Sequence, residues 1–145
     1  MITLINISLI SINLSIICAE KILNMSEMFS GCSSLKFLDL SYFITINAED
    51  TNRMFCGYTS LISVNMFNFI TDKVTNIYKI FYGCSSLTEL NLSNFTTSNV
   101  INMGQMFGEC YKLIFLNISN YNYIKCQNKE EMFYGLDLKK IKFME

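Results

Sequence analysis

Histidine is absent from these 145 residues. That removes the commonest general base at neutral pH, the usual partner of a serine or cysteine nucleophile, and the commonest metal ligand. A basic surplus is missing too: the formal charge is −1 and the isoelectric point lies near 5.5. Phosphate backbones and acidic membranes are therefore poor partners, because binding them relies on excess lysine and arginine. Paired C-x-x-C spacings, the mark of a structural zinc site, do not occur among the six cysteines. Proline is also lacking, while 51% of the residues are hydrophobic. Such a chain can bury a sizeable apolar interior, which argues against disorder.

The apolar opening "MITLINISLISINLSIICAE" invites a secretion-signal reading. However, no basic residue precedes Lys21, and Thr3, Asn6, Ser8, Ser11, Asn13 and Ser15 interrupt the apolar run. A membrane span would need about 20 predominantly apolar residues, so none is expected here.

What the chain does have is a period. Phe29, Phe55, Phe81, Phe107 and Phe133 recur at a constant offset of 26, preceded by Met28, Met54, Ile80, Met106 and Met132. Leu35, Leu61, Leu87 and Leu113 keep the same spacing, as do Leu38, Val64, Leu90 and Leu116, and Leu40, Met66, Leu92 and Ile118. Phe43, Phe69, Phe95 and Tyr121 form a further row, followed by Ala48, Val74, Val100 and Cys126. Counting back by 26 puts Leu9, Ile12, Leu14, Ile17 and Ile22 at the same apolar places, with Asn13 and Ser15 at polar ones. The opening stretch thus reads better as a truncated copy than as a signal.

A fixed period of this size marks a solenoid, whose copies must stack because one alone cannot bury its apolar face. The expected organisation is a single solenoid domain over 1–145, with copies at about 23–48, 49–74, 75–100 and 101–126 and partial copies at 1–22 and 127–145. Within a copy, "LTELNLSNF" alternates as a strand does, pointing Leu90 and Leu92 inward and Asn91 outward. In "NVINMGQMF", Val100, Met103, Met106 and Phe107 fall on one helical stripe, so a short helix is expected there. Thr97, Ser98 or Asn99 would cap its start, and a left-handed glycine would follow its end. Gly31, Gly57, Gly83 and Gly135 hold that place; the fourth copy has Glu109, implying either a distorted turn or a shift to Gly108. The fold class expected is α/β, a right-handed leucine-rich-repeat solenoid with one strand and one short helix per copy.

"FYGCSSLTELNLSNFTTSNVINMGQMFGEC" (81–110) resembles the repeat of the BspA-like leucine-rich repeat surface proteins, MF-x-G-C-S-S-L-x-x-L-x-L-S-x-F-x-T-S-x-V-x-x-M. The likeness is good over 22–138. It implies a right-handed repeat solenoid and display on, or secretion from, the cell, with a role in adhesion. Partners would be proteins or glycans, host extracellular components among them. Tyr58 in place of the motif cysteine, "YKL" for "SSL" at 111–113, and the lysine-rich end "LDLKKIKFME" depart from the pattern. That end reads as a makeshift cap or a truncated rung.

The candidate binding surface is the outward face of the strands, taken as concave. It carries the column Asp39, Asn65, Asn91 and Asn117, flanked by Phe37, Ser63, Glu89 and Phe115 on one side and Ser41, Phe67, Ser93 and Ser119 on the other. Exposed aromatics are enriched at interfaces. The competing reading is that the Asn side chains bond to one another up the stack or keep the face soluble. A second column, Asn24, Asp50, Asn76, Asn102 and Asn128, suits local backbone bonding near a helix start. Asn91, Asn94 and Asn117 begin N-x-[ST] sequons that the strand motif itself writes. Cys32, Cys84 and Cys110 share one repeat position and read as buried thiols.

Acidic residues such as Asp39, Glu49 and Glu89 fall on different rows, and no nucleophile has a base beside it. Catalysis is therefore not expected, and the resemblance implies a non-catalytic binding or adhesion module, one piece of a larger cell-surface or secreted protein, with no cofactor and no metal. The alternatives are a structural spacer within a longer array and, remotely, an enzyme using Cys84 or Cys110. Stacked copies with uncapped ends are also expected to associate end to end.

Overall fold

The computed structural model describes residues 19–144. The apolar positions assigned to the opening copy before Ile22, namely Leu9, Ile12, Leu14 and Ile17 with Asn13 and Ser15, lie outside the described residues, as do all but the last two residues of the stretch weighed as a signal.

Five three-residue strands occur among the described residues: β1 (Phe37–Asp39), β2 (Ser63–Asn65), β3 (Glu89–Asn91), β4 (Phe115–Asn117) and β5 (Lys142–Met144). They form two small parallel sheets, β1-β2 and β3-β4-β5. A three-residue 3-10 turn spans Ala19–Lys21, and turns and coil make up the rest of the described residues. The α/β leucine-rich-repeat solenoid with a helix in each copy is therefore not what this chain builds. No α-helix is present among the described residues.

The hydrogen bonds show why. In the third copy, Ile77, Lys79, Phe81 and Gly83 donate their N–H groups to Asn102, Gly104, Met106 and Gly108 in the next coil, at 2.8–3.1 Å. The residues between them turn back on their own coil: Ile80 donates to Ile77, Tyr82 to Lys79 and Cys84 to Phe81, at 3.1–3.2 Å. An α-helix would need every one of these donors for a carbonyl four residues back. Alternate donors are instead given to the neighbouring coil, leaving a run of overlapping β-turns. Lys79, third residue of its turn, has φ 55°, which a right-handed helix does not allow. Glu27, Arg53, Gln105 and Glu131 repeat that conformation once per coil. Side chains three apart still face inward in such turns, so the apolar stripe read as helical is buried: Val100, Met103, Met106 and Phe107 are all inaccessible.

Gly31, Gly57, Gly83 and Gly135 adopt the left-handed conformation, with φ of 73–78°. In the fourth copy Glu109 takes it directly, at φ 60°, and Gly108 does not shift to replace it. The capping role expected near Thr97 is also corrected. Thr45, Thr71 and Thr97 are buried, and each hydroxyl bridges to the following coil. Thr71 Oγ1 donates to the Thr96 carbonyl (3.1 Å) and accepts from the Thr96 N–H (2.8 Å); Thr45 does the same at Ile70, and Thr97 at Asn122.

Successive coils lie on one another at an offset of 26, as in the register Leu38↔Val64 and Leu90↔Leu116. The five phenylalanines stack in one file, with centroids 5.3–6.2 Å apart and rings within 15° of parallel. Together with Leu35, Leu61, Leu87 and Leu113 they fill the interior. The lysine-rich end forms a further rung: Lys142 pairs with Phe115, an offset of 27, so this copy carries one extra residue.

Candidate functional site

The strands present alternate residues outward, and the proposed surface lies there. Phe37 is 62% exposed, Phe67 78% and Phe115 36%. Asp39, Asn65, Glu89 and Asn91 are exposed, whereas Ser63, Ser93 and Asn117 are half-buried. The flanking column therefore runs Phe37, Ser63, Glu89, Phe115: two rings with short or polar side chains between them.

The Asp/Asn column is largely occupied with its own backbone. Asp39 Oδ1 accepts the Ser41 N–H at 2.9 Å, and Asn65, Asn91 and Asn117 repeat this with Phe67, Ser93 and Ser119 at 3.0–3.2 Å. Each is an Asx-turn that ends its strand. The Ser41 N–H, more than its hydroxyl or the Asn65 amide, holds the Asp39 carboxyl below the usual range. Within this column one side-chain bond joins neighbouring rungs, Asn65 Nδ2 to Asp39 Oδ1 at 3.0 Å. The second column behaves likewise: Asn24, Asp50, Asn76, Asn102 and Asn128 each accept the N–H two residues on, at 2.8–3.1 Å, and pair as parallel bridges along the stack. Local backbone bonding was legible there, although no helix follows it.

Between β2 and β3 the ladder stops. The Leu40 N–H reaches the Asn65 carbonyl and the Leu92 N–H reaches that of Asn117, both at 2.9 Å. The matching bond from Met66 to Asn91 is not made. Glu89 also lacks the bond to the Ile62 carbonyl that Ser63 and Phe115 make to Lys36 and Thr88. Val64 stands here where the neighbouring copies have Leu38, Leu90 and Leu116, and it is half-buried where those leucines are buried. A smaller side chain at that place leaves the two strands without a full apolar bridge beneath them.

The result is a crevice of about 380 Å³ lined by Ser63, Val64, Glu89, Leu90, Asn91 and Phe115. A second hollow of about 230 Å³ adjoins it across Val64 and Asn91 and reaches Phe67. Both ends of the opening are tied. The Thr88 N–H holds the Ile62 carbonyl at 3.3 Å, and Asn94 Nδ2 donates to the carbonyls of Met66 (2.8 Å) and Phe69 (3.0 Å). Sequence reading named the surface residues but missed this gap and Asn94's part in it. The one signal was Val64 interrupting a row of leucines.

Other candidates offer less. Cys84 and Cys110 are buried and form no disulfide. Their Sγ atoms donate to the Phe55 and Phe81 carbonyls at 3.2 and 3.1 Å. The neighbouring Cys110 thiol, then burial, pushes the Cys84 thiol well above its ordinary value. Tyr58 occupies the motif-cysteine place in the same row, fully buried, and burial raises its phenol strongly. No cluster of three or more Cys, Asp or Glu among the described residues is placed to hold a metal, and no described helix is long and apolar enough to cross a membrane. On the opposite side of the coils, the Tyr82 hydroxyl donates to Glu109 Oε1 at 2.6 Å, and that bond, more than burial, pushes the Tyr82 phenol up to about 12.

Fold and site together define a protein of stacked, near-identical coils with an aromatic-bearing strand face opened at one junction. The chain belongs to the family described as Mycoplasma protein of unknown function, DUF285, whose model matches residues 23–143. No curated protein and no solved structure matches it.

Proposed function

We propose that this chain is a non-catalytic binding module that presents its strand face to protein or glycan partners at a cell surface or in secreted form. The observation that carries the reading is the set of exposed rings on the strand face, Phe37, Phe67 and Phe115, of which Phe115 lines the crevice and Phe67 the hollow adjoining it. Exposed phenylalanine costs solubility and supplies little to the fold, whereas aromatic side chains are enriched where partners dock. The BspA-like motif resemblance supports a surface location. An enzyme acting through Cys84 draws no support from a buried thiol whose ionisation is suppressed.

The spacer reading draws on one observation: the Asp39, Asn65, Asn91 and Asn117 side-chain oxygens serve Asx-turns and are already engaged. Capture on surfaces coated with mucin, or with the same mucin stripped of its glycans, separates the two. The binding reading expects saturable capture on at least one surface. It also expects at least a tenfold loss in the triple variant Phe37→Ala, Phe67→Ala, Phe115→Ala, with thermal unfolding nearly unchanged. Equal capture by parent and variant, or none by the parent, would defeat it.

A further inference from the structure

We infer that the crevice between β2 and β3 is a subsite for a neutral pyranose sugar, a reading that rests on the strand-face function above. The regular ladder is interrupted on the strand face at this junction, and the interruption coincides with the cavity. Its volume of about 380 Å³ lies at the small end of the range of ligand sites, suited to one or two sugar rings and too small for a folded partner.

The lining has the two kinds of surface that a sugar needs. Phe115 offers an aromatic ring, on which the C–H face of a pyranose packs. Ser63, Glu89 and Asn91 bring a hydroxyl, a carboxylate and an amide to the same hollow. The broken ladder adds backbone groups with no partner in the adjoining coil: the N–H groups of Met66 and Glu89 and the carbonyl of Asn91. Met66 is buried, where a backbone N–H is normally paired, while Glu89 and Asn91 are exposed and open to a ligand; sugar hydroxyls both donate and accept. The lining itself holds a carboxylate and neither lysine nor arginine, which disfavours an anion, while Lys142 Nζ stands over the Phe115 ring at 5.5 Å from its centroid. An extended peptide is disfavoured as well. The coils are held together at both ends of the gap by Thr88 and Asn94, so no strand can thread between them.

Val64 keeps the crevice open, so Val64→Leu, which supplies the residue found at Leu38, Leu90 and Leu116, should fill it. The test is amide NMR titration of the full chain with D-glucose, D-galactose and N-acetyl-D-glucosamine in turn. Saturable shifts in the millimolar range are expected for at least one sugar, confined to the amides of Val64, Met66, Glu89 and Asn91. Val64→Leu should weaken them at least tenfold while the rest of the spectrum keeps its dispersion. Phe115→Ala, a half-exposed rim position, gives the same loss should the leucine variant fold poorly. The proposal is overturned by the absence of saturable shifts with all three sugars, by shifts located elsewhere, or by shifts that survive both substitutions. Mucin capture that depends on the three phenylalanines without sugar shifts removes this subsite and leaves the strand-face reading standing. Capture indifferent to those rings removes the reading itself.

Discussion

The junction between the second and third coils is closed on one side and open on the other. On the turn side, Phe55 and Phe81 stack at 5.3 Å, the shortest spacing in the file, while Arg53, Phe55 and Gly57 donate to Tyr78, Ile80 and Tyr82 at 2.8–2.9 Å. On the strand side β2 and β3 of the same coils are not paired, and Val64 lines a crevice. The two sides belong to the same pair of coils, so the difference lies in the side-chain volume and bonding of the segments on each side. A large flat ring repeated once per coil forces its neighbours into step, because close-packed interiors tolerate few voids. A β-branched residue one methylene short of its row does not. The turn side thus holds the stack, and the strand side is free to vary.

Removing a ring from the closed side should break this contrast most strongly. Phe81→Ala deletes the residue between Phe55 and Phe107 and is expected to cost about 3–5 kcal/mol, read as a fall in the urea unfolding midpoint. Phe67→Ala on the open side should change stability by no more than about 0.5 kcal/mol. Comparable losses at the two positions would mean that the strand face carries as much of the stack as the turn face.

A smaller effect is expected at the corner beyond the crevice. Thr71→Val keeps the shape and deletes the hydroxyl that both donates to and accepts from Thr96. Losing both bonds to the Thr96 backbone should cost about 1 kcal/mol. Faster amide exchange at Thr96 would locate the damage at this junction. An unchanged exchange rate there would show that the corner does not clamp the coils.

The smallest effect is electrostatic. The folded-state pKa of Asp39 lies below its ordinary value, so its Asx-turn contributes stability above the unfolded carboxyl's pKa. That contribution is lost as pH falls through the lower, folded value. Thermal unfolding of the parent should therefore drop slightly more on acidification below the ordinary carboxylate range than that of Asp39→Asn. Parallel pH profiles would remove Asp39 from the account.

Much of the interior could be read directly. The inward rows from Leu35 to Leu113 and from Phe29 to Phe107 are buried where their spacing placed them. The recurrent Asn and Asp residues also announced their backbone bonding, because their short side chains reach the N–H two residues on with no help from elsewhere. The helix was misread. Val100, Met103, Met106 and Phe107 satisfy a helical stripe and a run of β-turns equally well, since both return a side chain to the same face about every third residue. The threonine clamps left a trace, T at 45, 71 and 97 with Tyr123 next in line, but their partners lie in the following coil. At the candidate site, Phe37, Phe67 and Phe115 were foreseen as surface residues, while the crevice between β2 and β3 was not.

The amino-acid order alone determined the repeat period and which side chains turn inward, because both depend on spacing and hydrophobicity carried within each copy. Only the tertiary structure decided where the backbone donors of each turn segment go and at which junction the strands part. Those outcomes depend on what the neighbouring coil offers: a carbonyl within reach competes with the chain's own, and a missing methylene matters only once two coils lie face to face.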